Sequence, residues 1–296
     1  MRIFITGGTG FIGSAVVKEL IDAGHEVIGL ARSESSTQAL QAVGVSAVQG
    51  SLEDIDSLKR GAERADAVIH TAFIHNFADF AAAAEVDRQA ITALGETLAG
   101  SNRPFVVTSG VPSGQSGQLV TEDIDPPPVG FPRVSEAAAL PFVKRGVRVS
   151  LVRPSRFVHG ASNHGFIARL IEIARESGQS AYVENGENRI HAVHYLDVAT
   201  LYRLIVEKGI AGAKYQAVTD SGIEFRKIAE VIANKLNIPT VSIPAKEAQS
   251  HFGFLGAIVS ADNPASSQIT QNALGWQPTQ PSFLEDLTND FYYTDA

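Results

Sequence analysis

Three glycines, Gly7, Gly10 and Gly13, fall between a short apolar run, Ile3-Phe4-Ile5, and the residues Ile12, Val16, Val17 and Leu20, which recur at helical spacing. A strand, a glycine turn and a helix in that order suit the binding of phosphates. Gly7 permits the tight turn, Gly10 lets the backbone come close to a pyrophosphate, and Gly13 lets the helix pack on the strand. The phosphates then lie at a helix N-terminus, where unpaired N–H groups and the helix dipole favour negative charge. A second apolar run ends Gly29-Leu30-Ala31-Arg32-Ser33. In a dinucleotide site an acidic residue here binds the ribose 2′-hydroxyl of NAD, whereas an arginine accommodates the 2′-phosphate of NADP. Ala31 takes the acid's place, Arg32 follows with a guanidinium fork that matches a phosphate, and Ser33 adds a hydroxyl. The cofactor expected is therefore NADP(H) in preference to NAD(H).

These residues need elements to hold them. Strand-like runs cover 2–5, 26–30, 46–49, 67–70, 104–108 and 147–152, and helical patterns cover 11–23, 36–43, 55–62, 79–99 and 133–145. Alternating strands and helices with right-handed crossovers predict an α/β fold, a Rossmann-type doubly wound parallel sheet. Beyond Arg153 the connections lengthen, with helices over 166–176, 196–207 and 225–236 and a short strand over 215–218. Residues 1–153 are expected to form mainly the nucleotide-binding domain. Residues 154–296 are expected to form mainly a smaller C-terminal substrate-binding lobe, interleaved with the sheet.

Composition narrows the class. The chain of 296 residues is 44% hydrophobic and 19% charged, with a formal net charge of −8. That is the make-up of a globular enzyme with a substantial core, and it argues against nucleic acid or an anionic membrane as partner. There is no cysteine, so disulfides, thiolate metal sites and a cysteine nucleophile are excluded. The apolar stretch over 252–261 is too short to span a bilayer, and the first residues read as a strand of the fold and not as a signal peptide. A cytoplasmic protein acting on a small molecule is expected.

Several motifs come in a fixed order: Thr6-Gly7-x-x-Gly10-x-x-Gly13, Ile69-His70-Thr71-Ala72, Val107-Thr108-Ser109 and Leu151-Val152-Arg153-Pro154, then the segment from Ala192 to Ala199, and Leu274-Gly275-Trp276-x-Pro278. In these the chain resembles the extended short-chain dehydrogenase/reductases, also called the NAD-dependent epimerase/dehydratase family, nearly end to end. The resemblance implies cofactor contacts from Thr6, Gly7, Gly10, Phe11, Ile12, Gly13, Arg32, Ser33, Thr71, Ala72, Thr108 and Pro154. It also implies a homodimer.

The family's chemistry uses a Tyr-x-x-x-Lys pair with a serine and an asparagine. The tyrosine exchanges a proton with the substrate oxygen, the lysine lowers the tyrosine's pKa, and the serine positions the oxygen. Glu136 fits the glutamate that commonly follows the lysine, which puts the lysine's place at Pro132 and the tyrosine's at Pro128. No tyrosine precedes Tyr182, and Asp87 stands in the asparagine's place, so Ser109 alone remains. Pro126-Pro127-Pro128 cannot continue a helix, Pro132 suits a first helical position, and Pro141 removes an internal hydrogen bond. The helix over 133–145 is thus expected to start late and to kink or break near Pro141.

Other residues are candidates for the missing work. His159 stands where many relatives carry a tyrosine before a glycine, and its near-neutral intrinsic pKa suits a proton donor; a hydrogen-bonded structural histidine is the alternative. His164, Arg189 and His191 lie where relatives gather substrate-binding residues, Arg189 suiting a carboxylate or phosphate, or else a surface ion pair. Arg133, just past the lysine's place, is expected to be solvated at a helix end, with a reach to the cofactor as the alternative, and Asp197 to be a cap or anchor. His191, His194 and Asp197 have a spacing that could bind zinc on a helix, but Ala192-Val193 reads as strand or loop, so no metal is expected. The function expected is an NADP(H)-dependent oxidoreductase acting on a small carbonyl or related compound by hydride transfer. The alternatives are a non-catalytic NADP(H)-binding redox sensor and a nucleotide-dependent isomerase or lyase.

Overall fold

The computed structural model describes residues 1–75, 79–126, 133–161 and 165–294. Pro128, Pro132 and His164 lie outside the described residues. The chain begins with six strands, β1 (Arg2–Thr6), β2 (Glu26–Ala31), β3 (Ser46–Gln49), β4 (Ala67–His70), β5 (Pro104–Thr108) and β6 (Arg148–Pro154). After them come β7 (Phe157–His159), β8 (Ser180–Val183), β9 (Arg189–His194), β10 (Lys214–Ala217), β11 (Asp220–Glu224) and β12 (Thr240–Ile243).

Among the described residues the central sheet has seven strands in the order β10-β6-β5-β4-β1-β2-β3, and every pairing within it is parallel. β4 and β5 are buried at every position, as a parallel strand covered on both faces requires. Successive side chains of β1 alternate between two cores. Ile3 and Ile5 pack with α1 (Phe11–Asp22), and Phe4 packs against the face that also receives Leu58 and Leu94. The strand order reverses at β1, between β2 and β4, and the glycine turn sits there, at the carboxyl edge where such sheets bind ligands.

The longer helices and those near the site include α2 (Glu34–Ala42), α3 (Ile55–Glu63), α4 (Phe80–Leu98), α5 (Ser135–Ala139), α6 (Phe166–Ser177), α7 (Tyr195–Lys208) and α8 (Phe225–Leu236), with shorter ones following. α5 is short, and the chain continues as a 3₁₀ helix from Leu140 to Arg145 with Pro141 at its start. Proline's missing N–H and ring produce the break expected there.

The strand read over 215–218 is β10, an edge of the central sheet, where the later half of the chain returns to it. It pairs with β6, Lys214 opposite Leu151, and α7, packed beside α1, carries the chain to that edge. The lobe has its own core, which includes Phe157, Leu170, Phe225, Leu255, Phe283 and Leu287, between the sheets β11-β9-β7 and β12-β8. Phe252 and Leu255 from the late apolar stretch are part of it. Among the described residues, no helix is long and apolar enough to cross a membrane.

Candidate active site

At the glycine turn each glycine has a distinct reason. Gly7 has φ +76°, and a Cβ there would lie 2.7 Å from Thr71 Oγ1 and 2.8 Å from the Ala72 nitrogen. A Cβ on Gly13 would strike the Gly7 carbonyl oxygen at 1.9 Å, whereas on Gly10 its nearest neighbour would be that same oxygen at 3.3 Å. Gly10 thus keeps the face open, and Gly13 lets helix and turn touch. Gly10 is also the N-cap of α1, with no side-chain cap and no acidic residue in the first turn. By contrast Ser33, Asp54 and Asp79 cap α2, α3 and α4. The α1 N-terminus therefore offers N–H groups that no described side chain claims, and this cradle fits a pyrophosphate.

The residues around the turn fix it in place. Thr71 Oγ1 donates to the Thr6 carbonyl at 2.7 Å, and Ala72 N–H to Thr6 Oγ1 at 3.4 Å. Phe11 stacks on Tyr195 with ring centroids 4.9 Å apart, and Ile12 packs half-buried on the core. At the end of β2 Arg32 is exposed. Ser33 Oγ, which accepts the Ser36 N–H, lies 2.9 Å from Ser35 Oγ and 3.0 Å from Ser36 Oγ. Three hydroxyls thus gather at the strand end, directly after the exposed Arg32.

A hydrogen-bonded relay crosses the carboxyl edge of the sheet. His70, at the end of β4, has Nδ1 2.8 Å from Thr6 Oγ1 and Nε2 3.0 Å from Asp87 Oδ1. Ser135 Oγ donates to Asp87 Oδ2 at 2.5 Å and accepts from Arg133 Nε at 3.0 Å. Arg133 Nη1 donates to the Ser109 carbonyl at 3.0 Å. Ser109 Oγ in turn donates to Glu136 Oε1 at 2.6 Å, and Glu136 is held by Arg153 through Nε and Nη2, both at 2.7 Å. Burial pushes the Asp87 carboxyl up, but His70, Arg133 and Ser135 together hold it below the usual range.

The sequence places Arg133 in solvent at a helix end; the structure corrects this. α5 begins only at Ser135, so Arg133 precedes it, and its guanidinium carbon lies 4.4 Å from the centroid of the Phe73 ring, with Nη2 buried and without a partner. Ser109 is in place after β5, but its hydroxyl hydrogen is committed to Glu136. The Thr108 hydroxyl is likewise directed inward, donating to the His70 carbonyl at 2.7 Å and lying 2.5 Å from the Tyr202 hydroxyl. Pro154 is buried at the end of β6.

His159 is enclosed in the lobe, with Nδ1 paired and Nε2 buried without a hydrogen-bond partner. It is 1% exposed, and its Nδ1 lies 2.8 Å from Asp286 Oδ2, which also accepts the Tyr292 hydroxyl at 2.6 Å. Tyr292 accepts the Gly160 N–H, so this knot ties β7 to the chain's end and replaces the proton-donor reading with a structural one. Among the described residues His159, His194 and Asp286 also bring metal-ligand atoms within 4.8 Å of one another, although Asp286 Oδ2 is already occupied by its two donors. Arg189 forms a bidentate pair with Asp262, Nε to Oδ1 at 3.0 Å and Nη2 to Oδ2 at 2.9 Å, which is the surface-pair alternative. His191 is buried, its Nε2 3.3 Å from Asn263 Nδ2. Asp197 anchors the segment after Trp276 by accepting the N–H groups of Thr279 and Gln280.

Residues 3–99 match the NAD dependent epimerase/dehydratase family. An uncharacterized protein of Schizosaccharomyces pombe, C2A9.02, is 45% identical over 295 residues, 99% of this chain and 100% of that protein. The chain belongs to the NAD-dependent epimerase/dehydratase family. It is also similar to the 4-hydroxy-2-methyl-3-oxo-4-farnesyl-3,4-dihydroquinoline-1-oxide ketoreductase of Stigmatella aurantiaca, 26% identical over 268 residues, 86% of this chain and 80% of that enzyme. In fold it resembles DesIV, a dTDP-glucose 4,6-dehydratase from Streptomyces venezuelae solved with NAD and TYD bound. The TM-score is 0.78 at 20% identity, covering 99% of this chain and 97% of that one.

On this family's fold, sequence reasoning overlooked Phe73, His75 and Arg156. Arg156 is half-buried, donates Nη2 to Ser113 Oγ at 2.6 Å, and makes no ion pair with a described carboxylate. It bears on His191, which burial and then the Arg156 charge push down to about 3. His194 is pushed down to about 4, by burial and then by His159. In the unfolded chain a histidine titrates near 6.5. Between that pH and about 4 the unfolded state binds protons that these two rings refuse, so stability rises with pH there and is lost on acidification. The denaturant midpoint should hold steady above pH ~7 and fall progressively toward pH ~4, with a shallower fall in His191→Asn. A flat wild-type profile across that window would show that the rings are charged in the fold.

Proposed function

We propose that the protein is an NADP(H)-dependent oxidoreductase that reduces a small carbonyl compound by hydride transfer. The uncapped N-terminus of α1 at the glycine turn, with the exposed Arg32 and three serine hydroxyls at the end of β2, carries this reading. In it, the first N–H groups of α1 and the open face of Gly10 hold the pyrophosphate. Arg32 and the hydroxyls of Ser33, Ser35 and Ser36 hold the ribose 2′-phosphate. Thr71 and Ala72, knitted to Thr6, form the wall beside the turn, while Thr108 and Pro154 set the ends of β5 and β6. The reduced nicotinamide, when bound, supplies the hydride. On the substrate side we place the half-buried Arg156, whose Nη2 donates to Ser113 Oγ. The ketoreductase of Stigmatella aurantiaca, whose name states a carbonyl reduction, supports the reaction class.

The test is loss of NADPH absorbance when the purified protein meets a panel of ketones and aldehydes. Turnover of at least one compound is expected, and NADPH binding with none turned over would remove the reading. Cofactor choice is tested separately by Arg32→Glu. Losing a charge-assisted contact and placing a carboxylate against a phosphate should weaken NADPH binding by about 10–100-fold, with NADH affinity changed by less than about threefold. Equal effects on both nucleotides would show that Arg32 does not read the 2′-phosphate.

A further inference from the structure

Arg133 is a half-buried cation that feels the charges of Asp87 and Glu136 but pairs directly with neither. Its Nε and Nη1 donate to a serine hydroxyl and a backbone carbonyl, it makes no ion pair with a described carboxylate, and Nη2 is buried without a partner. A buried N–H left without an acceptor costs about 1–3 kcal/mol, more when charged, so such a group persists where an oxygen meets it in the working state. Resting on the reading that the protein reduces a carbonyl, we propose that Arg133 Nη2 binds the carbonyl oxygen undergoing reduction and stabilises the alkoxide that forms on it.

Position supports this. Ser109 follows β5 directly, and its carbonyl, which Arg133 grips, lies at the carboxyl edge of the sheet, the side on which the glycine turn opens. The guanidinium is also fixed. Ser135 orients Nε, Asp87 orients Ser135, His70 orients Asp87, and Thr6 at the glycine turn closes the series. A charge held this way needs no reorganisation when the oxygen becomes negative. The Phe73 ring lies over one face of the guanidinium, and Nη2 itself is buried, which strengthens its field. That field reaches the neighbouring segment, because burial and then the Arg133 charge hold the His75 imidazole below its usual pKa.

The electron count closes without a protein acid. A hydride carries two electrons to the carbonyl carbon, the C–O π pair moves to oxygen beside Nη2, and the nicotinamide is left oxidised. The alkoxide then takes a proton from water, since a guanidinium does not give one up. This accounts for a chain with no tyrosine before Tyr182 and none followed by lysine four residues on.

Arg133→Met and Arg133→Lys test it, with NADPH affinity as the check on folding. In Arg133→Met, kcat should fall by about 100-fold or more while NADPH binding stays within about threefold, and Arg133→Lys should retain part of the rate. An independent readout is the binding of butyrate, whose carboxylate mimics the alkoxide, to protein saturated with NADP⁺, followed by calorimetry. Wild-type protein should bind it, and Arg133→Met should bind it at least about tenfold more weakly. Unchanged kcat in Arg133→Met, no butyrate binding by wild type, or equal butyrate binding by both proteins each overturns the role of Arg133. Absence of carbonyl turnover in the wild type overturns the oxidoreductase reading instead, and the butyrate comparison still decides whether Arg133 receives an anion. Should Arg133→Met fail to fold, loss of butyrate binding in Arg133→Gln supports the proposal and its retention overturns it.

Discussion

A methionine in place of Arg153 is expected to destabilise the protein by about 3–5 kcal/mol, a large share of a typical domain's stability. Arg153 is completely buried. Two of its nitrogens grip Glu136 at 2.7 Å, and Nη1 donates to the carbonyls of Glu122 and Ile124 at 3.2 and 2.8 Å. Removing the guanidinium strands a buried carboxylate and two carbonyls at once. The same substitution frees Glu136 to pull on Ser109 alone, so the end of β5 should lose its geometry as well. Urea denaturation of wild type, Arg153→Met and the double variant Arg153→Met with Glu136→Leu measures this. The double variant should recover much of the loss, because replacing both partners removes the uncompensated charge. A loss below about 1 kcal/mol in the single variant would mean that water reaches Glu136.

Alanine at Gly13 should abolish dinucleotide binding and destabilise the fold together, while alanine at Gly10 should weaken binding with little loss of stability. The difference follows from what each methyl meets. At Gly13 it would overlap the Gly7 carbonyl oxygen at 1.9 Å and carbon at 2.7 Å, both rigid backbone atoms. The helix must then move off the turn, at a cost of about 1–3 kcal/mol or more, and the N–H cradle opens. At Gly10 the single contact is 3.3 Å, so the fold tolerates the methyl and only the incoming phosphate meets it. NADPH titration beside thermal unfolding separates the two. A Gly13→Ala protein that binds NADPH as wild type does would show that the turn relaxes without disturbing the cradle.

Much of this fold is legible in the sequence, and particular segments show why. The strands at 46–49, 67–70 and 104–108 begin and end where short apolar runs do, because each is bounded by polar or turn residues. The break of the helix at Pro141 is legible because proline acts locally. β7, β8, β11 and β12 are not, being three to five residues long with no clear period of their own. The glycine turn is legible because its geometry is carried by adjacent residues. The rest of the site is assembled at a distance. The fate of His159 is decided by Asp286, 127 residues later, and the setting of Arg133 by a ring on the loop after β4. One local signal did exist: Asp87 is a charged residue on a face of α4 otherwise made of Ala83, Ala84, Ala90 and Ile91.

The knot of His159, Asp286 and Tyr292 also fixes an order of events during synthesis. Phe283, Leu287 and Tyr292 share the lobe's core with Phe157, so that core cannot close until the last stretch of chain has been made. The first six strands meet no such delay, since domains generally fold from the N-terminal side as they emerge. The growing chain thus passes through an interval with β6 lacking its outer neighbour and β7 lacking its latch. Contacts of such wide sequence separation form slowly. Chaperone demand and protease sensitivity are therefore expected to concentrate in that interval, and a chain cut before Asp286 would gain β10 beside β6 but never the latch on β7.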